Sequence, residues 1–142
     1  MSSGEVVGPP TYVRVPSVGI CLVTIFRLKL LLSLQGLGPA LAWVRGHVGH
    51  APSPIVPDPE SLRACERRLA SVAALYPGRV LCLEQSLALY CLLRRKGIAL
   101  TFVLGVRPSP FAAHAWVEQY GIPINDVDEH VRWYTRLPGM LP

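Results

Sequence analysis

The sequence predicts an α+β domain, with helices first and an antiparallel sheet after them. Three observations carry this. Apolar residues recur at spacings of three and four up to about residue 96, then give way to short extended runs. Those runs follow one another directly, with turns marked by Pro108, Pro110 and Gly121. The last helical segment is apolar nearly all round, so it belongs at the centre. With 142 residues, 51% of them hydrophobic and 16% charged, the chain suits one domain with a real core.

The elements follow in order. Residues 1 to about 17 are rich in Gly, Pro and Ser and read as an extended tail. A helix is expected over residues 20 to 34, ended by Gly36, Gly38 and Pro39, and a second, short one over 40 to 48. APSPIVPDPE, residues 51 to 60, is a proline-rich linker. Residues 1–57 thus form a tail, an apolar helical region and a linker, and residues 58–142 form the core of a single compact domain. Over residues 59 to 76 Asp58 can cap a helix, Pro59 suits its first position, and Glu60 favours its positive pole. Leu62, Cys65, Leu69 and Val72, with Leu75 or Tyr76, make its apolar face, and Pro77 and Gly78 end it. The central helix covers residues 82 to 96, and Gly97 stops it. Strands are expected at 99 to 106, 111 to 119 and 122 to 126. Alternation of Val131, Trp133 and Thr135 suggests a fourth.

Composition narrows the function. The net charge of +5 comes from scattered residues, apart from Arg94, Arg95 and Lys96 at a helix end, where they offset the negative pole. No nucleic-acid motif accompanies them, so no nucleic-acid partner is expected. Residues 18 to 34 are strongly apolar, but Arg27 and Lys29 interrupt them. The uninterrupted runs fall short of the ~20 residues a membrane span needs, which favours a buried or partner-docking helix. Cys21, Cys65, Cys82 and Cys91 form no CxxC pair and lie in apolar stretches, which points to a reducing, cytoplasmic setting without disulfides. His47 and His50 have HxxH spacing with no cysteine or carboxylate cluster nearby, so neither a metal nor another cofactor is expected.

The chemistry centres on Cys82, His114 and Asp126. Cys82 opens the central helix, where free N–H groups and the positive pole stabilise a thiolate and an oxyanion. Glu84 opposes this, because nearby negative charge disfavours a thiolate. A three-residue loop of Gln119, Tyr120 and Gly121 would pair Glu118 with Ile122, Trp116 with Ile124 and His114 with Asp126. Directly opposed residues share a face, so Asp126 can orient His114 as a general base for Cys82. Taken singly, the three fit a core cysteine, a structural histidine and a turn aspartate. Together they favour catalysis. Asn125 and Asp128 are alternatives to Asp126, although an extended strand turns Asn125 to the other side. His130 lies beyond the hairpin and is a poorer base, and Ser86 reads as a small neighbour.

CLEQSLALYCLLRRKGI (82 to 98), LGVRPSPFAAHAWVE (104 to 118) and GIPIND (121 to 126) resemble the leader peptidases of lasso-peptide biosynthesis. That family is similar to the transglutaminase and papain-type cysteine enzymes, with Cys, His and Asp in this chain order. The resemblance implies a transglutaminase/papain-like core: N-terminal helices, a central helix carrying Cys82, and an antiparallel sheet carrying His114 and Asp126. It implies a cysteine protease that removes the leader of a ribosomally made precursor peptide through a thioester. A separate ATP-dependent lasso cyclase would then act on the freed amine. Some relatives carry a fused leader-recognition domain. The first 58 residues here lack a winged-helix-like pattern, so a separate recognition protein is implied. Arg107, Phe111 and Trp116 are candidate substrate-binding residues. The Cys82 N–H would serve the oxyanion hole. Papain-like enzymes add a Gln upstream of the cysteine, but Tyr76 and Pro77 stand there in this chain, and Gln85 is a weak substitute. Other readings are an acyltransferase or transglutaminase on the same triad, or a non-catalytic leader-docking protein.

Overall fold

Two of the helices start where the sequence offers a capping side chain, Ser17 for α1 and Asp58 for α3. In the computed structural model, which describes residues 9–48, 55–138 and 141, the helices are α1 (Val18–Leu34), α2 (Leu37–Val48), α3 (Pro59–Leu75), α4 (Cys82–Arg94) and α5 (Asp128–Val131). The strands are β1 (Thr101–Pro108), β2 (Phe111–Gln119), β3 (Ile122–Pro123) and β4 (Thr135–Arg136). Ser17 Oγ accepts from Ile20 N–H at 3.2 Å at the start of α1. Asp58 accepts from Ser61 N–H at 3.1 Å at the start of α3, with Pro59 at its first position.

The sheet is antiparallel, in the order β3-β2-β1-β4. One face presents Phe102, Leu104, Ala115 and Val117 to α4, whose residues from Ser86 to Arg94 are all buried. Tyr90 of α4 meets Phe102 edge to face at 6.4 Å. Cys21, Ile25 and Leu28 of α1, Leu41 and Val44 of α2, and Cys65, Leu69 and Val72 of α3 complete this core. The helices before residue 58 therefore share the core of the rest. The far side of α1 leaves Val23, Phe26, Leu30 and Leu34 exposed. Among the described residues no helix is long and apolar enough to cross a membrane.

The tail is extended, as expected, but it is fastened. Thr11 N–H donates to Val56 O at 2.7 Å, Asp58 N–H to Thr11 O at 2.8 Å, and Val13 N–H to Ser61 Oγ at 3.0 Å. Residues 1–8 of the tail, 49–54 of the linker region and His50 of the HxxH pair lie outside the described residues.

Three expectations need correction. The hairpin pairs Gln119 with Ile122 and Glu118 with Pro123, one residue away from the expected register. Its loop is two residues, Tyr120 and Gly121, with φ of 50° and 79°. Positive φ at both positions marks the primed turn whose twist suits a two-residue hairpin, and Tyr120 adopts it despite its side chain. The third strand stops at Pro123 instead of running to 126: Ile124 N–H still donates to Val117 O at 2.9 Å, but Val117 N–H turns to the Asn125 side chain (2.9 Å) and the ladder ends there. Val131 lies in α5 rather than in a strand. Asp128 and Glu129 occupy that helix's first turn, where negative charge is favoured, and the fourth strand is confined to Thr135–Arg136.

The outer face of the sheet carries Val103, Gly105, His114, Trp116 and Glu118. Gly105 lies opposite His114. A Cβ there would come within 2.7 Å of Tyr134 Cβ and 2.9 Å of the Trp116 ring. Gly105→Ala is therefore expected to destabilise the fold by about 1–3 kcal/mol through overpacking, measured by denaturant unfolding. An unchanged midpoint would mean that Tyr134 and Trp116 give way freely.

Candidate active site

Cys82 is the first residue of α4 and is exposed, whereas Cys21, Cys65 and Cys91 are buried. Burial pushes those three thiols up, Cys91 to about 11, so they are poor nucleophiles. The N-cap residue is Leu81, which has no side-chain acceptor, and the first helical bond is Gln85 N–H to Leu81 O at 3.1 Å. Among the described residues nothing accepts from the N–H groups of Cys82, Leu83 or Glu84. Three donors at the positive pole of α4 thus stay available beside the thiol. Glu84 Oε2 accepts from Leu81 N–H at 2.9 Å, which orders the entry to the helix.

His114 and Asp126 meet although they are not ladder partners. Once the chain leaves the sheet after Pro123, Asp126 Oδ2 reaches His114 and accepts a hydrogen bond from its Nε2. Nδ1 is the nitrogen left for a thiol. His130 joins the same carboxylate, its Nδ1 lying 2.8 Å from Oδ2 and 3.1 Å from Oδ1, and Val127 N–H donates to Oδ1 at 2.8 Å. Partial burial pushes the Asp126 carboxyl up, but the hydrogen bonds from His130, His114 and Val127 outweigh it, so its pKa lies below the ordinary value. The imidazole of His114 is flanked by Trp116 (5.7 Å), Tyr134 (5.3 Å) and His130 (4.7 Å).

Ser86 ties these parts together. Its Oγ donates to Ala115 O at 3.0 Å and accepts from Asn125 Nδ2 at 3.0 Å. Ser86 lies one helical turn after Cys82, Ala115 follows His114, and Asn125 precedes Asp126. One hydroxyl thus holds together the three segments that bear the candidate triad. Cys82 sits ~6 Å along α4 from this hub, on the same helix face. Among the described residues no hydrogen bond joins Cys82 Sγ to His114. Such contacts are often long without substrate and tighten in the complex.

The other candidates are placed differently. Trp116 is 1% exposed and donates to Glu118 Oε1 at 2.8 Å, so it backs the imidazole instead of facing a peptide. Arg136 meets the same oxygen at 2.7 Å. Arg107 Nε donates to Pro110 O at 3.3 Å, and its guanidinium lies 5.6 Å from the Tyr134 ring. Phe111 is 76% exposed. His47 Nδ1 donates to Trp43 O at 2.8 Å, and the ring stacks on Trp43. The ligand atoms of His114, Asp126 and His130 lie within 4.8 Å of one another, so a cation displacing their protons would find two imidazoles and a carboxylate. Sequence reasoning reads His130 only as a poorer base, Ser86 as a small neighbour and Asn125 as an alternative to Asp126, and none of them as a part of the network found here. The i, i+4 spacing of Asp126 and His130 was a usable sign, whereas the Ser86–Asn125 contact leaves no trace in spacing.

A family model described as the transglutaminase-like superfamily matches residues 24–138. No curated protein and no solved structure matches the chain. The matched span runs from within α1 through β4, and so takes in the whole hydrogen-bonded constellation.

Two stability measurements follow. Asn125→Ala removes two partly buried bonds and is expected to cost about 1–3 kcal/mol, whereas Cys82→Ala, at an exposed position, should stay within about 0.5 kcal/mol of wild type. Equal stability of both variants by chemical unfolding would deny Asn125 its clamping role. The second concerns pH. A carboxyl whose folded pKa is lowered contributes stability that is complete above its unfolded value, about pH 4, and is lost as pH falls through the folded value. The advantage of wild type over Asp126→Asn should therefore shrink as pH is lowered below about 4. An advantage that stays constant down that range would contradict the assigned bonds.

Proposed function

Since the chain belongs to the transglutaminase-like superfamily, whose members are typically cysteine peptidases or acyltransferases, we propose that it is the stand-alone peptidase that removes the leader from a lasso-peptide precursor. The observation that carries the catalytic part is the union of an exposed Cys82 at an uncapped helix start with a His114–Asp126 pair through the Ser86 hub. The substrate part is supported by the three motifs at 82–98, 104–118 and 121–126, which resemble that peptidase family.

In this reading His114 Nδ1 takes the thiol proton and the Cys82 thiolate attacks the carbonyl carbon of the last leader residue. The oxyanion forms beside the free N–H groups at the start of α4. The intermediate collapses, the C–N bond breaks, and the imidazolium gives its proton to the departing core-peptide amine. Water, deprotonated by His114, then hydrolyses the thioester. Asp126 fixes the imidazole and stabilises its charged form. The exposed apolar side of α1 offers a surface for a separate leader-recognition protein, and the freed amine suits a following ATP-dependent cyclase.

Incubation of the protein with precursor and recognition protein, read by mass, tests the proposal. Wild type should release the leader, Cys82→Ala and His114→Ala should be close to inactive, and Asp126→Asn should keep a fraction of the rate. Arg107→Ala should slow precursor cleavage well beyond any loss of thermal stability, while labelling of Cys82 by a small thiol reagent stays near normal. Near-normal cleavage by Cys82→Ala removes the nucleophile assignment. Amine adducts in place of hydrolysis products assign the acyltransferase reading instead.

A further inference from the structure

The turn that delivers Cys82 packs Tyr76 and Val80 against the core, and one polar side chain from another element reaches its backbone. Residues 76–81 link α3 to α4 and include Pro77 and Gly78. Among the described residues the one hydrogen bond that reaches residues 77–80 from another element comes from Lys29 of α1, whose Nζ donates to Arg79 O. The same ammonium lies 3.9 Å from Glu84 Oε1 and 5.9 Å from the centroid of the Tyr76 ring. Its side chain is 26% exposed and that of Glu84 is 11% exposed, so water screens the pair only in part. Lys29 stands one residue beyond Leu28, which is fully buried, so packing of α1 fixes where the lysine stem begins.

We propose that Lys29 is a positioning residue for the nucleophile: it fastens the turn before Cys82 and offsets the Glu84 carboxylate, which is hydrogen-bonded to the backbone of the residue preceding the thiol. The inference rests on the reading of Cys82 as nucleophile. Glu84 is needed for its bond to Leu81 N–H, yet its negative charge, two residues from Cys82, works against a thiolate. An ammonium on its second oxygen keeps the bond and offsets the charge. The charged or titratable groups of this turn and of the candidate site are Glu84 on α4, Lys29 on α1, Arg79 in the turn, and His114 with Asp126 and His130. This gives α1 a part in the chemistry although it contributes no member of the triad.

Alkylation of Cys82 by iodoacetamide, followed by mass on the intact protein, tests this without any precursor. Lys29→Met should slow alkylation at pH 7 by about five-fold or more and move the rate–pH profile to higher pH. Lys29→Arg should stay within about two-fold of wild type, since it keeps the charge and a donor. Glu84→Gln added to Lys29→Met should recover most of the lost rate, because the amide oxygen still accepts from Leu81 N–H. If Lys29→Met fails to fold, Glu84→Gln alone decides: a rate equal to or above wild type supports the proposal, and a slower one overturns it. A folded Lys29→Met with the wild-type rate and profile overturns the role of Lys29 alone. A wild-type Cys82 that does not react in preference to the three buried thiols overturns the nucleophile reading and this inference together.

Discussion

Ser86 Oγ stands where α4, β2 and the segment after β3 meet, and the arrangement of the candidate site rests on its two hydrogen bonds. A hydroxyl can donate once and still accept, so one small side chain serves two partners. It donates to the Ala115 carbonyl of β2 and accepts from the Asn125 amide. Asn125 in turn occupies Val117 N–H, which ends the third strand and frees Asp126 from the ladder. The exchange of a backbone pair for a side-chain pair is what moves Asp126 into reach of His114. Buried and satisfied, such a network favours one arrangement strongly, because each broken bond leaves a polar group without water.

The sheet then gives the imidazole a defined seat. His114, Trp116 and Glu118 alternate along one face of β2, opposite a glycine in β1. Gly105 lets the Trp116 ring and Tyr134 close over that position, and Glu118 holds the indole in place. Aromatic contacts of this kind restrict the ring more than they energise it, and restriction is what a general base needs. His130 adds a second imidazole to the Asp126 carboxylate, so the negative charge that would orient His114 is shared and remains ionised.

The proposed function draws on α1 as well. Its inner face is core, its Lys29 reaches the nucleophile turn, and its outer face is apolar and exposed. A partner seated on that outer face would press on a helix already linked to Cys82. This gives the proposed recognition protein a physical route to the chemistry beyond delivery of the peptide.

The sequence by itself determined the starts of α3 and α4, the central place of α4, the antiparallel hairpin and the identity of the exposed cysteine. Each is written in local chemistry. Asp58 and Pro59 set a cap, the all-round apolar face of residues 82–96 demands burial, and a cysteine at the first position of a helix stands at its pole. Only the tertiary structure decided the hairpin register, the end of β3, the use of Ser86 and Asn125 as a clamp, the second histidine on Asp126 and the reach of Lys29. A one-residue difference in loop length leaves the same residues in the same order, so Gln119, Tyr120 and Gly121 read as a three-residue loop and fold as a two-residue one. His114 and Asp126 were correctly paired through a ladder that does not exist, because their meeting is set by where the chain leaves the sheet. That departure depends on Val117 N–H finding Asn125, and on Asn125 finding a hydroxyl on a helix 39 residues away in sequence. Periodicity and spacing describe neighbours along one element, whereas contacts between elements are fixed only when the core closes and each buried polar group must find a partner.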